Sequence, residues 1–339
     1  MKLIPRTLGL ALGLAVTSWH SAAVAQNSPA SLFDEHVAAG LPRSFALPRP
    51  AGDERGAGID QVVIEERLDT DVVYPDGSHA TTYTGTANGV EAVFTRLGDT
   101  LSVSVFDEQA PSLGPARGVR RSPGAEPNDE IVLPAGMSAP TSSLLTNTPA
   151  ARELQFWIFL HDQSGESNYA KFHSWYIAWW VQDMERTVKP GIPVKVIIKD
   201  HVPGVTDFDY HQGTDVQALA AFRSTADRYL YAMGATPSGL TKVMLFVNER
   251  PANWDGAYGK AFQGSTAAMA TAAGPRHGVA HEFGHTLNAR HEHAETRFPC
   301  VTNMSAYTPG LFSCRIYSGR NDVQIREHVW GELERHRDD

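Results

Sequence analysis

The stretch "HEFGHTLNARH", His281 to His291, places three histidines and a glutamate within eleven residues. Residues four apart lie on one helix face, so His281 and His285 can aim two imidazoles at a common point. Glu282 is one position on and within reach of a group held there. His291 would lie about 9 Å further along the axis than His285 if the helix continued straight, at 1.5 Å per residue, and on another face. The helix must therefore stop between them and the chain must turn back. Asn288 suits that stop, because helix ends commonly need a left-handed residue, where Asn is second only to Gly. The spacing is that of two zinc ligands on one helix, a carboxylate beside them as general base, and a third ligand brought round by the turn. The plain alternative is a surface helix with solvated histidines.

The 339 residues are enough for two modest domains or one domain with appendages, and 42% hydrophobic residues permit a proper core. A net charge of −9 gives no support to nucleic-acid binding. Residues 1–25 read as a signal peptide. Lys2 and Arg6 precede the apolar "LGLALGLAV", and "AVA" ends at Ala25 before Gln26. This predicts export, secreted or periplasmic, with no membrane anchor after cleavage; an uncleaved anchor is the plain alternative, for which the apolar run is short, and other apolar runs reach only about seven residues. The two cysteines, Cys300 and Cys314, are expected to form a disulfide in such a compartment. Cysteine zinc ligands are the competing reading, but three histidines already fill the protein's share of an open catalytic site.

Residues 26–150 are rich in Pro, Gly and Ala. "LPRSFALPRPAGDERGAG" and "GPARGVRRSPGAEPNDE" read as loops or linkers. "QVVIEE", "ATTYTG", "EAVFTRL" and "TLSVSVFD" read as strands of a small antiparallel unit. An exported enzyme built on such a metal site needs restraint before release, so this region reads as a propeptide, removed or displaced before full activity, with Arg120 and Arg121 in an exposed-looking stretch. A separate binding module is the alternative.

Residues 151–339 are the expected catalytic domain. "LQFWIFL", "PVKVIIK" and "TKVMLFVN" read as strands, alternating with helices over "SNYAKFHSWYIAWWVQDMERTV" and "TDVQALAAFRSTADRYLYAMG". "YGKAFQ" and "TAAMATAA" read as short strands before the metal helix, whose start Pro275 suits. The expected fold class is α/β (α+β), a twisted mixed sheet with helices packed on it. Phe172, Tyr176, Trp179 and Trp180, at helical spacing, are expected in the core.

The ligand spacing, Glu282 and the following "TNMSAY" together resemble the metzincin zinc endopeptidases, whose motif is HExxHxxGxxH followed by a methionine-bearing turn. The resemblance covers about the last 190 residues and departs from the motif at Asn288, where Gly is usual. It implies a metzincin-like catalytic domain and one catalytic Zn²⁺ held by His281, His285 and His291. It further implies Glu282 as base, Met304 as the floor of a Met-turn, and a protein or peptide substrate aligned near Tyr258–Phe262. The segment Tyr307–Phe312 would wall a specificity pocket. Some members use a tyrosine two residues after the methionine for transition-state support. Tyr307 is three after Met304, which puts that role in doubt. A latency aspartate like that of astacins is conceivable at Asp53, although a flexible loop is the simpler reading. His277 is too distant from His285 to share its ion, and His293 would require a longer turn. "DFDYH" (Asp207, Asp209, His211) reads as a solvated loop, with a structural Ca²⁺ unsupported. Two further readings stand beside the endopeptidase: a zinc hydrolase acting on a non-peptide or cell-wall bond, and a non-catalytic secreted zinc-binding module.

Overall fold

The computed structural model describes residues 28–47, 61–105, 129–131, 153–188, 192–305 and 312–335. The expected signal peptide, Asp53, Arg120, Arg121 and Tyr307 lie outside them.

The N-terminal region begins with helix α1 (Pro29–Ala38), capped by the Ser28 side chain. Strands β1 (Arg43–Phe45), β2 (Val62–Arg67), β3 (Asp71–Val73), β4 (His79–Ala87), β5 (Val90–Leu97), β6 (Thr100–Val105) and β7 (Glu130–Ile131) follow. The four strands expected here are present as β2, β4, β5 and β6, paired antiparallel. Two stretches expected as loops are strands in part: β1 lies within "LPRSFALPRP", and β7 starts at the end of "GPARGVRRSPGAEPNDE". Both are too short to show a period-two pattern, and they form by pairing with distant strands. Phe33 of α1 is fully buried against Phe45, Tyr83 and Phe94, which gives this region its own apolar cluster.

The second region runs through β8 (Leu154–Leu160), α2 (Tyr169–Phe172), a π turn (His173–Ile177), α3 (Ala178–Val188) and β9 (Val194–Lys199). It continues through α4 (Asp215–Ala232), β10 (Thr241–Val247), β11 (Gly259–Phe262), β12 (Ala267–Thr271), α5 (Gly278–Thr286) and α6 (Gly319–Arg335). β8, β9, β10 and β12 are parallel neighbours in the order β9-β8-β10-β12, and β11 joins β12 antiparallel. Helices cover both faces, so β8 from Phe156 and β10 from Val243 onward are apolar runs rather than alternating ones. Phe156, Ile158, Met244 and Phe246 face α3 and α5 on one side. Phe159, Val243 and Leu245 face Leu219, Phe222 and Leu230 of α4 on the other. That split follows from the two-residue alternation of a strand. Phe172, Tyr176, Trp179 and Trp180 are all buried, as their spacing predicts.

The sequence boundary near residue 150 is not a boundary in the sheet. Among the described residues one twelve-stranded sheet runs through both regions. β3 pairs parallel with β9 at one edge of the second region's strands, and β7 pairs parallel with β11 at the other. Leu68, Val72 and Tyr74 lie in the same buried cluster as Phe172, Tyr176 and Val196. The Tyr74 hydroxyl is 2.6 Å from Nδ1 of His173, both side chains being fully buried. The N-terminal region thus brackets the five strands that carry the histidine helix. The fold is a mixed α/β one with a large mixed sheet. No helix among the described residues is long and apolar enough to cross a membrane.

Candidate metal centre

α5 carries the first two histidines, and its inner face fixes their direction. Val279, Ala280 and Phe283 are buried in the main cluster. Phe283 stacks on Trp180 at 5.0 Å and meets Phe156 edge-on at 4.8 Å. His281 and His285 are thereby turned towards β11 and the chain that follows. The glycine of "HEFGH" has a packing cause. A Cβ at Gly284 would clash with Sδ of Met304 and come within 2.9 Å of Tyr317. Met304 is fully buried, and the Tyr317 hydroxyl donates to the Ala280 carbonyl at 2.5 Å. The Met304 and Tyr317 side chains together form a floor beneath the helix.

The helix stops where the spacing requires. Asn288 has φ +69°, and the Ala289 N–H donates to the Gly284 carbonyl at 2.9 Å, which satisfies one of the orphan carbonyls of the helix end. The chain turns and brings His291 back. Nε2 of His281 is 3.0 Å from Nε2 of His291 and 3.2 Å from Nε2 of His285. A tetrahedral ion with nitrogen ligands at about 2.0–2.1 Å would space them about 3.3 Å apart. The three residues fit a zinc ion in chemistry and spacing.

A fourth residue occupies the same point, and it is one the sequence reading did not single out. Asp129, next to β7, puts its carboxylate 3.3 Å from Nε2 of His281, 3.7 Å from Nε2 of His285 and 3.2 Å from Nε2 of His291. The four ligand atoms lie within 4.8 Å of one another. Asp129 is 4% exposed, and its Oδ1 faces Nε2 of His291 and of His285 rather than an ordinary hydrogen-bond donor of the fold, as an oxygen sharing their metal would. Burial pushes its carboxyl up, but His281 and His285 outweigh that and hold it well below the usual carboxylate range. Asp129 is anchored by β7: Ala261 N–H donates to the Asp129 carbonyl at 3.0 Å, and Gln263 N–H to the Ile131 carbonyl at 3.0 Å. The acceptors lie over a hundred residues from the histidines in a Pro/Gly-rich stretch, so no local signal marked them.

Burial lowers the pKa of His285 to about 4, with Asp129 opposing, which favours the neutral imidazole that a metal needs. Nδ1 of His281 is 2.7 Å from the Asn303 carbonyl. That carbonyl can only accept, so Nδ1 carries the proton and Nε2 presents its lone pair. Glu282 is 2% exposed, and its carboxyl is pushed well above the usual range by burial and then by Asp129, against the pull of Lys260. Glu282 Oε2 has no hydrogen-bond partner. Its carboxylate lies against β11 at Gly259, where a Cβ would collide with it.

The remaining candidates fall away from this point. His277 is the α5 N-cap and is not among the four residues that converge. Nδ1 of His293 is 2.8 Å from Oε1 of Gln324. Asp207 and Asp209 accept bonds from nearby loop groups and form no metal-capable cluster with His211 among the described residues. Cys300 and Cys314 are bonded to each other. Of the segment expected to wall a pocket, Phe312 alone is described.

No protein-family model matches the chain, and no curated protein matches it in sequence. A solved structure, that of metalloproteinase-II from Bacteroides fragilis, matches at 15% identity and a TM-score of 0.47, over 81% of this chain and 89% of that one. The buried cluster of His281, His285 and His291 matches the HExxH…H pattern of a zinc site.

Proposed function

We propose that the chain is an exported zinc-dependent endopeptidase held latent by its own N-terminal region. The convergence of three imidazole nitrogens and one carboxylate on a single point carries this reading. His281, His285 and His291 would hold the metal, and the Asp129 carboxylate, converging on the same point, would keep an attacking water out. When bound there, Zn²⁺ supplies Lewis acidity that brings the pKa of water towards neutrality and polarises a scissile carbonyl. With Asp129 displaced, Glu282 would lose the neighbouring negative charge that helps keep its carboxyl protonated, and as a carboxylate beside that point it would accept the water's proton and pass it to the leaving amine.

β11 supplies the substrate edge. The N–H groups of Ala261 and Gln263, now bonded to β7, are the donors a peptide in extended form would use. β7 therefore covers the substrate edge while Asp129, the residue just before it, covers the metal. The wall and transition-state roles assigned to Tyr307 belong to the same reading. Met304, packed under α5, supplies the Met-turn of a metzincin-like domain comprising residues 151–339, with 26–150 as its propeptide. The disulfide between Cys300 and Cys314 accords with export to an oxidising compartment.

The N-terminal region shares the main core through Val72 and Tyr74, so the assay uses the full chain with Asp129→Ala rather than a truncation. Incubated with a peptide library, it is expected to cut internal peptide bonds, to stop on chelation and to resume with added zinc. Cutting that ignores the chelator contradicts the metal. Intact peptides beside hydrolysed cell-wall polymer or ester would show the hydrolase of other bonds. No hydrolysis of either would leave a binding module.

A further inference from the structure

The motif departs from its usual form at Asn288, and the side chain there does more than permit a turn. Gln263, the residue after β11, reaches across to the helix end. Its Oε1 is 3.1 Å from Nδ1 of His285. Its Nε2 donates to Oδ1 of Asn288 at 3.2 Å and to the Ala289 carbonyl at 3.1 Å. The Ala289 carbonyl can only accept, which fixes the amide orientation: the nitrogen faces the bend and the oxygen faces His285. Nδ1 of His285 must then donate, which leaves Nε2 with its lone pair towards the other histidines. The Gly264 N–H donates to the His285 carbonyl at 2.8 Å, so residues 263 and 264 hold this histidine by ring and backbone together.

Resting on the metal reading above, we propose that Gln263 is the positioning residue for His285, and that Asn288 is at the helix stop because its Oδ1 holds Gln263 in place. Glycine would adopt φ +69° more readily than asparagine but offers no acceptor. The same Gln263 bonds β7 through its backbone, so the residue that sets the second ligand's tautomer also lies on the strand-pairing edge.

The test measures zinc affinity of the full chain by competition with a chromophoric chelator, for wild type, Gln263→Leu, Asn288→Gly and Asn288→Asp. Gln263→Leu is expected to weaken zinc binding about 10–100-fold, the usual loss when a partner outside the ligand shell is removed. Asn288→Asp keeps the acceptor and stays close to wild type. Asn288→Gly keeps the bend but loses the acceptor, and should weaken binding about threefold or more, the effect of one hydrogen bond. Thermal unfolding of the metal-free variants checks that the fold persists; if Gln263→Leu fails to fold, the Gly and Asp comparison decides. Wild-type affinity in Gln263→Leu, or equal affinities in the two Asn288 variants, overturns the proposal. A wild-type chain that takes up no zinc overturns the metal reading instead, so the two failures are told apart.

Discussion

Replacing Glu282 by Gln, in a chain already relieved of Asp129, is expected to lower peptide cleavage by about 10²–10⁴-fold while leaving zinc content unchanged. Gln keeps the size and one acceptor of the carboxylate but cannot take a proton. The side chain is buried against Gly259, so an isosteric replacement stays in place where a smaller one would leave a hole. The Nε2 atoms of the three histidines are untouched, which separates the base from the ligand set. Loss of zinc or of the folded state alongside activity would make Glu282 structural. Full activity in the zinc-loaded variant would remove it from the mechanism.

The second large effect is expected at Asp129. In the uncut chain, Asp129→Ala should raise cleavage of an unfolded protein by at least about tenfold over wild type. A tenfold rise needs only about 1.4 kcal/mol of lost restraint, the scale of one hydrogen bond to a charged group. Activation should stop short of the fully released level, because β7 remains bonded to Ala261 and Gln263. Rates measured on inactive-background substrates mixed with each variant report this directly. An Asp129→Ala chain no faster than wild type would show that the carboxylate does not restrain the site.

The parts of this site that were readable in sequence share one property, which is that their geometry is local. His281, His285 and Glu282 are fixed by helix spacing, and His291 by a turn whose left-handed residue is named in the sequence. β8 and β10 were equally plain, since strands buried on both faces carry five-residue apolar runs, here residues 156–160 and 243–247. Asp129 was hidden because its partners lie more than 150 residues away and β7 is two residues long. β3, three residues long, hid the joining of two regions into one sheet for the same reason. α6 went unread although Ile325 and Val329 are buried four apart, because charged residues dominate the helix around them. Gln263 has no motif at all: its role exists only once β11 and the end of α5 are brought together.

The central claim is that three histidines hold one zinc, and the metal content of the purified full chain tests it most directly. Elemental analysis should find one zinc per chain in the wild type. In His285→Ala, where a fully buried ligand is lost, the ratio should fall far below one after dialysis against a mild chelator. Full zinc retained in His285→Ala, or none in the wild type, would contradict the account.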